Sequence, residues 1–287
     1  MSDEIAVGVP VYSRAGALRQ LLESVPSYVS TVYVAENGPP QDRDRPLYRE
    51  AWPFELDVLR LGHDVGIGAC RAALTDAVTE PFLWMGDNDM EFCRDDDLAR
   101  LREILLAHDD LGGVSGWLIE GDVVRSGARD LRRVGDTIIK EGSDPDVVAS
   151  PLPHARFDFI PQAGLFRTSV YETYDYSPDF ETREHADFFI GHADAGEWAF
   201  ASTPVVQTHH HKQIDAEYRA GRGQRNPDAE WLRENWGVER TVPGSTSDWA
   251  QLYDRSVAEE AFDVFRSATP PAVWLRVRRA LKRAGVA

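Results

Sequence analysis

Apolar positions along the first third of the chain switch between two spacings. Ile5 to Val11 is a continuous apolar run closed by a polar turn, as expected of a strand buried on both faces of a parallel sheet. Ala17, Leu18, Leu21, Leu22 and Val25 then recur at spacings of one, three and four, which predicts a helix opening near Ser13 and closing before Pro26. Thr31 to Ala35 reads as a second strand, stopped by Glu36-Asn37-Gly38-Pro39. A third strand is expected over Leu56 to Leu61, a helix over Gly66 to Val78 and a fourth strand over Phe82 to Met85. Asp95 to Asp97 can cap the next helix, whose core face carries Leu98, Leu101, Ile104 and Leu105. Strands alternating with helices predict a doubly wound α/β layer with right-handed crossovers over residues 1–110.

From Gly112 the pattern becomes mixed. Gly113 to Ile119 is a short strand, and Phe157 to Phe189 is rich in aromatics, which suits a substrate-facing half extending to residue 215. Residues 216–287 read as a helical extension, with polar helical segments carrying Trp231, Trp236 and Trp249 and a break at Pro270-Pro271. No repeat or low-complexity tract interrupts the 287 residues.

Charge changes the list of partners. There are 31 Lys and Arg against 48 Asp and Glu, a net −17, and the only lysines are Lys140, Lys212 and Lys282. Phosphate backbones recruit cationic surfaces, so nucleic acid is excluded as the expected partner. An acidic, lysine-poor surface also suits a salt-loving source, because salt screens the self-repulsion. Cys70 and Cys93 form no paired motif, the N-terminus is acidic where a secretion signal is basic, and no segment reaches the roughly 18 apolar residues that span a bilayer. The expectation is a cytoplasmic protein. One stretch runs against the charge: Trp274 to Arg283 holds five cations and no acid. It predicts either peripheral contact with an anionic membrane or a helix folded back on the acidic domain.

The first candidate chemistry is Asp87-Asn88-Asp89 at the carboxyl end of the fourth strand, where open α/β sheets bind ligands. Two carboxylates there can share a hard cation such as Mn²⁺ or Mg²⁺ that bridges a diphosphate. Glycines at Gly66 and Gly68 can open a helix whose N-terminus favours phosphate, and Arg71 can pair with Asp87 or with phosphate.

The order of these features resembles the family 2 glycosyltransferases of the GT-A fold, over about residues 5–211. The resemblance implies a mixed, mostly parallel sheet flanked by helices and a nucleotide-diphosphate sugar as donor, with UDP favoured. It places Pro10, Val11 and Tyr12 near the base. Glu36 and Asn37 stand where the family has an aspartate pair for uracil and ribose, and Asp64 stands where asparagine is usual in the stretch through Gly66, Gly68 and Arg71. Asp87, Asn88 and Asp89 are expected at the diphosphate and metal. Glu184-His185-Ala186-Asp187-Phe188-Phe189 is similar to the base-bearing helix of one branch of the family. Asp187 is the expected base for deprotonating an acceptor hydroxyl, with Glu184 the alternative.

In the resembling enzymes a later strand ends in a histidine that completes the metal or diphosphate site. His209 fits that spacing best among His209, His210 and His211, which cannot all face one ion because strand side chains alternate. Gly164 is expected beneath the donor sugar, and Trp117 and Trp198 are candidates for stacking on sugar rings. The function implied is inverting transfer to a hydroxyl of a glycan or lipid-linked glycan. Two other classes share parts of the pattern: a nucleotide-sugar-binding protein without catalysis, and a sugar-phosphate nucleotidyltransferase. The latter uses a longer glycine-rich loop than Tyr12-Ser13-Arg14 provides.

Overall fold

The computed structural model describes residues 4–211, 227–244 and 248–252. Strands β1 (Ile5–Val11), β2 (Thr31–Glu36), β3 (Glu55–Arg60) and β4 (Phe82–Met85) form a wholly parallel half-sheet in the order β3-β2-β1-β4. Helices α1 (Ala15–Ser24) and α2 (Ile67–Ala77) connect them. α1 buries Ala17, Leu18, Leu21 and Leu22, the stripe expected from the sequence. β1 and β4 are buried at every position, which explains their lack of polar alternation.

Beyond β4 the sheet becomes mixed. β11 (Gly164–Arg167) runs antiparallel between β4 and β6 (Leu111–Glu120), and β12 (Ala199–His210) lies parallel to β6. The short β5 (Met90–Phe92) pairs antiparallel with the end of β12, β7 (Val123–Arg125) pairs with β6, and β10 (Ala155–Phe157) covers the far edge of β12. α3 (Asp97–Ala107) packs behind β6 and β11. α4 (Val170–Thr173) and α5 (Glu184–Ala195) follow β11 in the chain.

A second sheet, unmarked by any sequence period, orders β8 (Asp130–Val134), β9 (Thr137–Glu141) and β13 (Arg240–Pro243), with β13 parallel to β9. The segment expected as a helical extension thus supplies a strand. It also supplies α6 (Pro227–Trp236) and α7 (Trp249–Leu252). Ile138 of β9, Ala186 and Ile190 of α5, and Leu232 of α6 bury one another in a small core that fastens this region over α5. No described helix is long and apolar enough to cross a membrane. The basic stretch Trp274 to Arg283 lies outside the described residues.

Candidate functional site

Chain order places the site. The path from β1 moves outward to β2 and β3, then returns to β4 on the opposite side of β1, so connections diverge at the carboxyl ends of β1 and β4. Open sheets leave a ligand crevice at such a divergence. Gly86 makes the exit from β4 possible, since a Cβ there would lie 2.1 Å from the Trp84 ring. The next residues are Asp87, Asn88 and Asp89. Asn88 donates to the Ser13 carbonyl at 2.8 Å, and Arg14, held at φ 67° in the left-handed region, reaches Asp89 at 2.5 Å. The turn after β1 and the turn after β4 are therefore locked together.

Behind this turn lies a buried relay of charge. Arg71 on α2 is fully buried; its Nη2 donates to Asp87 and its Nε to Glu184 on α5, each at 3.0 Å. His185 Nε2 lies 3.3 Å from the same Nη2. Burial opposes the Arg71 charge, but Glu184 and Asp87 outweigh it and raise its pKa, so the guanidinium stays charged. Asp87 is one-third exposed, while Glu184 is 1% exposed. The relay thus runs from the crevice to the start of α5.

Asp187 is one turn further along α5. It is buried, and its Oδ1 accepts hydrogen bonds from the Tyr174 hydroxyl at 2.8 Å and from the Trp236 indole at 2.7 Å. Its Oδ2 has no hydrogen-bond partner among the described residues. Burial raises the Asp187 pKa even though both donors pull the other way. The Asp187 carboxylate is held by neutral donors and no cation, whereas Glu184 is paired to Arg71.

Strand alternation decides the histidines. His210 Nε2 lies 3.5 Å from Asp89, and its Nδ1 lies 2.8 Å from Glu120, which Arg125 also contacts. Burial works against charge on both partners, yet the pairing prevails: Asp89 is held below the usual carboxylate range and His210 is raised. His209 and His211 instead pack edge to face, with ring centroids 4.1 Å apart, beside Glu91 of β5. His210 is therefore the histidine set beside Asp89, whereas the sequence reading favoured His209. Asp89 and His210 suit a divalent ion, because a carboxylate and an imidazole converge at a spacing that one ion can close.

Other expected positions have different duties. Glu36 is fully buried and accepts from Arg45 Nε at 2.8 Å, from the Gly38 amide at 2.9 Å and from the Tyr48 hydroxyl. It pins the loop after β2, and Arg45 carries the contact on to the Tyr12 carbonyl at 3.1 Å. Asn37 is buried too, with its amide against Cys70 and its carbonyl accepting from the Asp64 amide at 2.9 Å. Gly66 and Gly68 do not open α2 to a diphosphate. A Cβ at either would strike backbone oxygens of Phe180 or Ser177, and the Gly68 amide donates to Phe180 at 3.0 Å. These glycines serve helix-to-loop packing.

Pro10 and Val11 are buried in β1, while Tyr12, just past the end of β1, stacks on His63 with centroids 5.9 Å apart. Trp117 is fully buried edge to face with Trp249, so it cannot stack on a sugar. Trp198 is half-buried and donates to Thr173. It lines a cavity of about 590 Å³ with Asp110, Arg156 and Glu197, which shares no residue with the relay. Gly164 is buried between β4 and β6.

Sequence reasoning missed Arg14, Glu91, Glu120, Tyr174 and Trp236. Tyr174 lies 13 residues from Asp187, and each of the others is separated by 49 or more from the partner that gives it meaning. The exception is Glu91, whose place two residues past Asp89 on a short strand opposite three histidines was a usable signal.

No protein-family model matches the chain, and no curated protein matches its sequence. Solved structures do match in shape. S. aureus TarS 1–349 in complex with UDP-GlcNAc aligns with a TM-score of 0.54 at 16% identity, over 76% of this chain and 61% of that one. The mannosyltransferase PcManGT from Pyrobaculum calidifontis, in complex with GDP-Man and Mn²⁺, gives 0.54 at 14% identity over 99% and 75%. GalNAc-T7 with UDP, GalNAc and Mn²⁺ gives 0.60 at 13% identity over 92% and 57%. The chain spans about three-fifths of the TarS fragment's length. Its fold is GT-A.

Proposed function

We propose that this GT-A chain is a metal-dependent inverting glycosyltransferase, moving a sugar from a nucleotide-diphosphate donor, with UDP favoured, to a hydroxyl of a glycan or lipid-linked glycan. The observation that carries the proposal is the convergence of Asp87, Asp89 and His210 at the β1–β4 divergence, joined through Arg71 to the start of α5. Three structures of this shape were solved with a nucleotide or nucleotide sugar, two of them with Mn²⁺, and that ligand chemistry suits this constellation.

Asp89 and His210, with Asp87 beside them, would hold the ion. When bound, it supplies positive charge to the departing nucleoside diphosphate. Tyr12 and His63 offer an aromatic edge for the base, a role the buried Glu36 does not take. Arg71 fixes the Asp87 carboxylate, and Glu184 fixes Arg71 from the other side. Asp187 takes the proton from the acceptor hydroxyl as that oxygen attacks the anomeric carbon. Tyr174 and Trp236 aim one carboxylate oxygen and leave the other to accept. Because Trp236 shields Asp187, acceptor entry requires α6 to shift.

Incubating the protein with nucleotide sugars, Mn²⁺ and a panel of glycan acceptors tests the reading. Donor cleavage and transfer are expected for wild type, and an Asp89→Ala variant that keeps its fold should lose both. Full activity in that variant would end the metal assignment. The shielding of Asp187 favours one second reading, a protein that binds nucleotide sugars without transferring them. Metal-dependent donor binding with no cleavage under any acceptor would establish that reading instead.

A further inference from the structure

A second group of ligand-type side chains sits on β5 and the end of β12. Glu91 and His209 are register partners across the antiparallel pair, and His211 follows His209 by two residues, so alternation sends both imidazoles to the same side as the Glu91 carboxylate. Their ligand atoms all lie within 4.8 Å of one another, and His211 Nε2 is already 2.8 Å from a Glu91 oxygen. Glu91 is fully buried, His209 is 7% exposed and the His211 side chain is 5% exposed. His210 points the other way, to Asp89 and Glu120.

We propose that Glu91, His209 and His211 form a transition-metal site, selective for an ion such as Zn²⁺ and distinct from the Asp89–His210 pair. Two imidazoles and one carboxylate match the borderline ligand preference of Zn²⁺ and are a poor set for Mg²⁺, which takes oxygen ligands and retains water. Zinc–nitrogen bonds of about 2.0–2.1 Å place tetrahedral ligand atoms about 3.3 Å apart. The cluster is therefore within rotamer adjustment of closure, with water completing the fourth position.

The site has a mechanical consequence. The His211 amide donates to the Asp89 carbonyl at 2.9 Å, and the Met90 amide donates to the Asp87 carbonyl at 3.2 Å. An ion tying Glu91 to His209 and His211 would stitch the strand that follows Asp87-Asn88-Asp89 to the end of β12. That stitch fixes the turn carrying Asp87 and Asp89 whether or not the transferase reading holds.

The test uses untagged full-length protein, stripped with chelator and kept free of nucleotide. Zn²⁺ or Co²⁺ is added, excess is removed by gel filtration, and bound metal is counted by mass spectrometry. The expected result is one tightly held ion per chain, a four-coordinate Co²⁺ absorption spectrum, and a rise in melting temperature with Zn²⁺ but not Mg²⁺. Asp89→Asn should retain the ion, while Glu91→Gln and His211→Gln should weaken binding by about 10–100-fold or more. A folded wild-type chain that retains no ion overturns the proposal. So does retention lost in Asp89→Asn but kept in Glu91→Gln, or an octahedral Co²⁺ spectrum. Because the wild-type count and the Co²⁺ spectrum each decide, misfolding of the Glu91 or His211 variants does not rescue it.

Discussion

Asp187 and Glu184 are two carboxylates on one helix, one turn apart, with opposite surroundings. Glu184 faces the Arg71 cation, and Asp187 faces two neutral donors. A proton acceptor needs basicity, and burial raises that of Asp187. Asp187→Asn is therefore expected to lower kcat by a factor of about 10²–10⁴ with little change in donor binding. Trp236→Phe removes one donor and should move the acidic limb of the kcat profile upward in pH, since the indole now stabilises the charged form. A pH–rate profile of the two variants checks this, and an unmoved acidic limb in Trp236→Phe would show that Asp187 is not the group titrating. Arg71 differs in kind: its loss would strip the buried Glu184 carboxylate of its cation, so its variants report on folding as much as on chemistry.

At the level of elements, α6 does more than extend the chain. Asp228, buried at its first turn, accepts hydrogen bonds from the Glu181 and Thr182 amides at 2.9 and 2.8 Å and from the Thr182 hydroxyl at 2.8 Å. It thereby fixes the loop that packs on Gly66 and Gly68 and leads into α5. The last turn of α6 brings Trp236 to Asp187. A single helix thus sets both the entry of α5 and the cover over Asp187. Asp228→Ala should cost about 2–5 kcal/mol, because it strips charge-assisted bonds from a buried loop. Denaturant melts would read that loss, and the 1–215 segment expressed alone should show the same weakened loop as greater amide exchange near Thr182. Wild-type protection in both would show that α6 is dispensable to the loop.

For the molecule as a whole, pH and charge act through buried groups. His192 is fully buried beside Phe188, Phe200 and Tyr174, and burial pushes its pKa down to about 4, with the Tyr174 backbone and Glu197 acting against the shift. The unfolded chain, whose histidine titrates near 6.5, binds this proton while the native state does not. Stability must therefore rise with pH between about 4 and 6.5, by an amount on the order of 3 kcal/mol. His210 acts with the opposite sign: its raised pKa adds stability that is full below 6.5 and lost as pH climbs through the folded value. Melting curves of wild type and His192→Gln between pH 4.5 and 7 separate the two, with a shallower fall toward acid expected for the variant. Equal slopes would mean that His192 is not held neutral.

What the sequence determined by itself is the part written in short-range periods. The buried runs of β1 and β4, the stripe of α1 and the turn Asp87-Asn88-Asp89 are local patterns, and local patterns fix period, burial and strand ends. They were enough to place Asp87-Asn88-Asp89 at the carboxyl end of a central strand, while the reversal of strand order beside β1 came only with the tertiary structure. Tertiary structure alone decided which side chains meet. Glu36 went to Arg45 and Tyr48, Gly66 and Gly68 went to the loop ahead of α5, and His210 went to Asp89, with His209 beside Glu91. Each of those outcomes depends on a partner far away in the chain. A run of three histidines guarantees two faces, but the register of β12 against β5 and β6 assigns them. The strand β13 and the cover of Trp236 over Asp187 have the same origin: both exist only because residues 227–244 pack onto β9 and α5, and no residue period records a docking partner.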